Sequence, residues 1–134
     1  MGNRDNIPSL RKLLNGKITL ILGNHDLKNG RPLPQILSAG FENVVEELNI
    51  TLSAETAGVD PSLEVVKLYM RHVPDMEFKP NDRADFHLVG HVHSSWSRIG
   101  PIINVGCDVH NYRPASLQQL ISSPEWKGES HRGY

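Results

Sequence analysis

"KITLILGNHD", Lys17 to Asp26, decides the reading of the fold. Its first six residues are almost wholly aliphatic and β-branched, the composition of a strand covered on both faces in the middle of a layered α/β domain. Gly23 ends the run and lets the backbone turn sharply. Asn24, His25 and Asp26 follow at once, an amide, an imidazole and a carboxylate that do nothing for a core and can all bind a metal or move a proton. An Asx-type turn closing the strand would also use Asn24 and Asp26, but it gives no reason for the imidazole between them.

"DFHLVGHVH", residues 85–93, repeats the arrangement: an apolar strand, then Gly90, then His91 and His93. Polar residues just beyond the carboxyl ends of buried strands sit where open α/β sheets collect ligands. Side chains of an extended segment alternate between its two faces, so His91 and His93 project from one face two residues apart and can serve two neighbouring ions, or one ion if the backbone bends. "MRHVP" offers a third position, with His72 directly after the strand expected in "LEVVKLYM" and Pro74 stiffening the turn that follows. Imidazoles mixed with oxygen ligands suit Mn, Fe, Zn or Ni better than Ca.

The flanking segments complete an α/β pattern. "IPSLRKLLNGK" places Ile7, Leu10, Leu13 and Leu14 at helical spacing, which predicts a short amphipathic helix ahead of the first strand. "RPLPQILSAG" predicts a short helix closing at Gly40, "FENVVEELNITLSAET" two short strands, "PIINVG" another strand and "SLQQLISS" a brief helix. A chain of 134 residues can bury one core but has little room for a second. The expectation is one compact domain over residues 1–123 and a polar tail over 124–134.

Charge and composition exclude several function classes. With 14 Lys and Arg against 15 Asp and Glu, the formal charge of −1 gives no broad footprint for nucleic acid or an anionic membrane. The longest apolar run, Ile18 to Leu22, is far short of the ~20 residues that cross a bilayer, and no basic stretch leads into a hydrophobic one at the start. "MGNRDN" opens like a myristoylation signal, but Asn6 stands where Ser or Thr is required. The lone Cys107 excludes an internal disulfide framework and suits a reducing compartment, so a cytoplasmic location is expected.

"GNHD", "HVP", "GHVH" and "INVGCDVHNYRP" occur in the order and spacing that resemble the calcineurin-like metallophosphoesterases, over the stretch from Leu10 to Leu120. The resemblance implies a metallophosphoesterase-like β-sandwich flanked by helices in αββα layers, with two divalent metal ions clamped between strand ends. It implies a hydrolase, a phosphatase or phosphodiesterase, that cleaves a phosphate-ester substrate with metal-activated water. By that analogy Asn24, His72 and His91 bind one metal and His93 the other, while His25 donates the proton and Asp26 holds its ring. Those roles suit the residue types. Two cations lower the proton affinity of a bridging water and stabilise the attacking and leaving oxygens, and an imidazole can protonate a leaving alkoxide near neutral pH.

The family also carries an Asp-x-His and a Gly-Asp motif ahead of its GNHD strand, and neither precedes it here. The resemblance therefore covers a carboxyl-terminal portion. The sandwich is expected to be N-terminally incomplete, Met1 to be an internal methionine, and strong catalysis to be absent from the fragment. The strand at Lys17–Leu22 would then lack a neighbour, and a homo-oligomer or a partner is expected to cover that exposed sheet edge. The alternative function is a non-catalytic metal-binding or scaffold module derived from such an enzyme; a simple zinc domain lacks a CxxC pair. "DVH" at 108–110 lies in the segment matching the family's "NVG" region, which disfavours a ligand role for Asp108 or His110.

The remaining polar and aromatic residues have plainer readings. His87, inside a strand, reads as structural, His131 as an exposed tail residue, and Cys107 as a small buried thiol. Arg113 suits either a substrate phosphate or a structural ion pair. Trp96 suits either stacking on a base or sugar or covering the core.

Overall fold

The computed structural model describes residues 6–81 and 83–128. The chain's contacts divide it into two compact units, Met1–Glu46 and Glu47–Tyr134, each with hydrophobic clusters of its own, where composition suggested a single core.

In the first unit, helix α1 (Ile7–Lys12) begins with Pro8 in its first turn. Of its expected apolar stripe only Ile7 packs against the unit's core; Leu10 is 57% exposed, and Leu13 and Leu14 beyond the helix are 78% and 56% exposed. Strand β1 (Thr19–Ile21) is followed by a 3-10 turn at Asn24–Asp26. Next comes the two-residue hairpin of β2 (Leu27–Lys28) and β3 (Arg31–Pro32). Asn29 and Gly30 join its strands with φ of 55° and 73°, the left-handed pair that matches the twist of a hairpin. Helix α2 (Pro34–Leu37) and β4 (Asn43–Val45) complete the unit. β1 and β4 pair in parallel, Leu20 opposite Val44, over a core of Leu22, Leu33 and Ile36. The sequence suggests a strand covered on both faces. β1 instead lies in a two-stranded sheet with Thr19 exposed and Leu20 and Ile21 half-buried.

The second unit is built on a five-stranded sheet. Its elements run β5 (Glu47–Ser53), α3 (Ala54–Ala57), β6 (Val65–Arg71), β7 (Phe86–Val89), β8 (Arg98–Ile99), β9 (Ile102–Asn104) and α4 (Leu117–Ile121). The strand order is β5-β6-β7-β9-β8, with β6, β7 and β9 parallel and the two edge strands antiparallel. Period-two alternation sorts the side chains. Val66, Leu68, Leu88 and Ile103 face Ala57 of α3 and Leu120 of α4, whereas Tyr69, Val89 and Ile102 face the other way. That second face is covered by the irregular segments carrying Phe78, Ala84, Val92, Trp96 and Trp126.

Two further details differ from the sequence reading. α3 lies in "SAET", where only strand was expected; Ser53 caps it by accepting from Thr56 N–H at 3.1 Å, and Gly58 ends it at φ 71°. The segment from Pro124 is docked through Glu125 and Trp126. Trp126 N–H donates to Arg98 O at 2.9 Å, and the Glu125 carboxylate accepts from Gly100 N–H at 2.8 and 3.0 Å. His131 and the rest of the expected tail, like Met1, lie outside the described residues. The chain is mixed α/β. Among the described residues, no helix is long and apolar enough to cross a membrane.

Candidate functional site

The parallel pairing of β6 and β7 places Arg71 opposite Val89, so the residues just past both strands leave the sheet side by side. His72 and His91 meet there. Their ring centroids are 5.2 Å apart and their planes 80° apart. Gly90 N–H donates to His72 O at 2.9 Å, and the His72 ring lies against Gly90 so closely that a Cβ there would come within 3.0 Å of Nδ1. Any larger residue at position 90 would thus push on a ring packed against the backbone, and Nε2 is the His72 nitrogen turned away from it. A ligating imidazole nitrogen lies ~2.0–2.1 Å from a cation and its ring centre about 1.2 Å further out, so two rings at a tetrahedral angle have centres roughly 5 Å apart. The observed spacing fits two ligands of one ion; it is also a spacing of edge-on ring packing.

His91 and His93 do not lie on an extended segment. Both adopt left-handed backbone, φ 67° and 48°, while Val92 between them is fully buried in the core. The two left-handed residues bend the chain on either side of the buried valine, at a cost of ~1–2 kcal/mol for each. The two histidines consequently have different neighbours. His93 Nδ1 is 3.9 Å from Asp108 Oδ2, ion-pair distance when the ring is protonated and too long for a hydrogen bond.

Asn104, at the end of β9, holds this loop and was not singled out by its sequence. It is fully buried, and its Nδ2 donates to His93 O and to Trp96 O, both at 2.8 Å, while Oδ1 accepts from Gly106 N–H at 2.8 Å. Its own carbonyl accepts from His110 Nε2 at 2.8 Å, which fixes the proton on that nitrogen. Beyond His110 the chain makes two more left-handed residues in succession, Asn111 at 54° and Tyr112 at 56°. Tyr112 N–H to Cys107 O at 2.9 Å and Arg113 N–H to His110 O at 3.1 Å hold them. Cys107 itself is exposed, not a buried thiol, because it opens the 3-10 turn Cys107–Val109 outside the sheet.

In the first unit, Asn24 and His25 are exposed on the turn that follows β1. The Asp26 carboxylate accepts from Gly23 N–H at 2.8 Å, three residues back, so Asp26 closes the turn that displays them as the far half of a capping box and not as an Asx turn, whose bond runs two residues on.

His87 is structural, as its place inside a strand suggests. Its Nδ1–H donates to Tyr69 O at 3.1 Å, Nε2 accepts from Asp75 N–H at 3.0 Å, and the ring stacks on Tyr69 with centroids 4.5 Å apart. Both nitrogens are committed in the neutral form. Burial pushes its pKa below the ordinary value, against the Tyr69 carbonyl and Asp75, which favour the proton. Trp96 covers the core.

A metal's donor set is thus present in part. His72 and His91 supply two nitrogens, but among the described residues no group of three or more His, Cys, Asp or Glu stands where it could hold an ion. Comparison of the chain with family models, curated proteins and solved structures finds no match.

Proposed function

We propose that the chain is a metal-dependent phosphoesterase, hydrolysing a phosphomonoester or phosphodiester with metal-activated water. The observation that carries this reading is the His72–His91 pair, set by adjacent parallel strands at the span of two ligands of one cation. It gains support from the ordered GNHD, HVP and GHVH motifs. A bound divalent cation would supply charge stabilisation and a more acidic water. The reading assigns Asn24 as a further oxygen ligand, His93 to a second ion, and His25 as the proton donor, with Asp26 fixing the turn that carries it. The αββα sandwich and the cytoplasmic location belong to the same reading.

Hydrolysis of a chromogenic phosphodiester with added Mn²⁺ tests it. Turnover that depends on the metal and disappears in His25→Ala and in His91→Ala is expected. Metal binding without turnover would instead support the second reading, a non-catalytic metal-binding or scaffold module.

A further inference from the structure

We infer that the recess beside Arg113 is a subsite for a phosphoryl group of the substrate other than the one hydrolysed. The inference rests on the phosphoesterase reading for its substrate, but its chemistry comes from the recess itself. The space, about 380 Å³, is bounded by His110, Asn111, Arg113, Pro114, Ala115 and Gln119, with no carboxylate in its lining. That volume is at the small end of ligand pockets, enough for a phosphoryl group and part of what bears it.

The polar lining is biased toward donors. Gln119 Oε1 accepts from Ser116 N–H at 2.9 Å, which engages one of its two lone pairs and leaves the two NH₂ donors of that amide for a ligand. His110 Nε2 is committed to Asn104 O. Among the described residues the Arg113 guanidinium makes no hydrogen bond or ion pair, leaving a full positive charge and a planar fork of donors at the rim. Donors and an uncompensated cation around a recess without acid select an oxyanion, and the fork matches two oxygens of one phosphoryl group.

Position and backbone agree with this assignment. The recess follows the carboxyl end of β9, the end at which parallel β6 and β7 deliver His72 and His91. A hydrogen-bond path joins it to the histidine loop, from His110 to Asn104 O and from Asn104 Nδ2 to His93 O. The successive left-handed residues Asn111 and Tyr112 carry the chain directly into Arg113, and backbone strain of this kind persists where the surrounding structure enforces it.

The test is a titration of the ¹⁵N-labelled full chain, free of added metal, with inorganic phosphate and in parallel with acetate at matched ionic strength. Saturable shifts on the Gln119 side-chain NH₂ and on the Asn111–Arg113 backbone are expected with phosphate and not with acetate. Arg113→Ala should weaken that binding about tenfold or more, and Arg113→Lys, which keeps charge but loses the fork, by less. Lys67→Ala, on a strand away from the recess, should leave it unchanged. Shifts spread over the surface, equal response to acetate, or phosphate binding that survives Arg113→Ala would overturn the subsite. Phosphate binding as expected, without Mn²⁺-dependent turnover in the assay above, would instead remove the enzymatic reading and keep the oxyanion site. Turnover whose KM for a bisphosphorylated substrate is unmoved by Arg113→Ala would keep the enzyme and remove the subsite.

Discussion

Asn104 and Gly106 form a pair whose energetics can be worked from three distances. Asn104→Ala removes two donations to carbonyls and one acceptance from Gly106 N–H, each 2.8 Å long and all centred on a fully buried side chain. A neutral hydrogen bond nets ~0.5–1.5 kcal/mol and a buried partner left unsatisfied costs more, so the substitution should destabilise the second unit by about 3 kcal/mol. Gly106→Ala acts on the same atom from the other side. Gly106 has φ −59° and ψ 139°, backbone that alanine accepts, but the new Cβ would sit 2.9 Å from Asn104 Oδ1. With that oxygen held by its own bonds, the overlap should cost ~1–3 kcal/mol. In the Asn104→Ala background the obstructing atom is gone. Gly106→Ala should then be neutral, or stabilising by ~0.4–1 kcal/mol through the unfolded chain. The double-mutant cycle therefore predicts a coupling of ~1–4 kcal/mol. Denaturant unfolding followed by tryptophan fluorescence measures it, since Trp96 and Trp126 both pack in the second unit's core. Equal costs for Gly106→Ala in the two backgrounds, or an Asn104→Ala cost below about 1 kcal/mol, would refute the reasoning.

Three further outcomes are expected. Gly90→Ala forces the His72 ring, 3.0 Å from the new Cβ, to shift; Mn²⁺ affinity should fall ~10–100-fold with stability little changed, and isothermal titration beside a melting curve separates the two. His87 is held neutral by burial, with its folded pKa below the unfolded value of about 6.5. Its contribution is therefore fully present above about pH 6.5 and is lost as pH falls toward the folded pKa, by up to about 1.4 kcal/mol per unit. Unfolding free energies from about pH 7 to about pH 5 should show this slope, and His87→Gln, which keeps a neutral donor and acceptor, should flatten it. Arg98 Nη1 donates to Ile121 O and to Ser123 O, both at 2.7 Å, tying down the carbonyl end of α4. Arg98→Ala should cost about 2 kcal/mol in denaturant unfolding, and Arg98→Lys, without the fork, should recover less than half of it.

The legible parts of this fold are those whose signal is local. β5, β6, β7 and β9 follow from alternating or continuous apolar residues, and α4 from its short apolar pattern. The hairpin at Asn29-Gly30 and the cap at Ser53 also have local signals, a left-handed dipeptide and a hydroxyl three residues before a threonine, although the helix read from Arg31 hides the first and the strand read through Thr56 hides the second. Other features arise from contacts distant in sequence. Pro124 begins a polar stretch, yet beyond it the Trp126 amide is tied to Arg98 and the Glu125 carboxylate to Gly100. Cys107 reads as a buried thiol until the turn that carries it is placed outside the sheet. Asn104 is an unremarkable residue in "INVG", because the carbonyls it satisfies belong to His93 and Trp96 and are brought to it only when the loop folds back on β9.

The same argument explains why His72 and His91 are neighbours although 19 positions separate them in the sequence. Their closeness is set by the β6–β7 register, in which Tyr69 faces His87 and Arg71 faces Val89. That register is selected by burial. Tyr69 stacks on His87 beneath Phe78, and the His87 ring bonds both the Tyr69 carbonyl and the Asp75 amide. A slip of one residue would turn Tyr69 and Lys67 to the opposite face and move His72 ~3.3 Å along the strand, with its ring no longer against Gly90. The imidazole that carries no proposed chemistry, His87, thus fixes the spacing of the two that do.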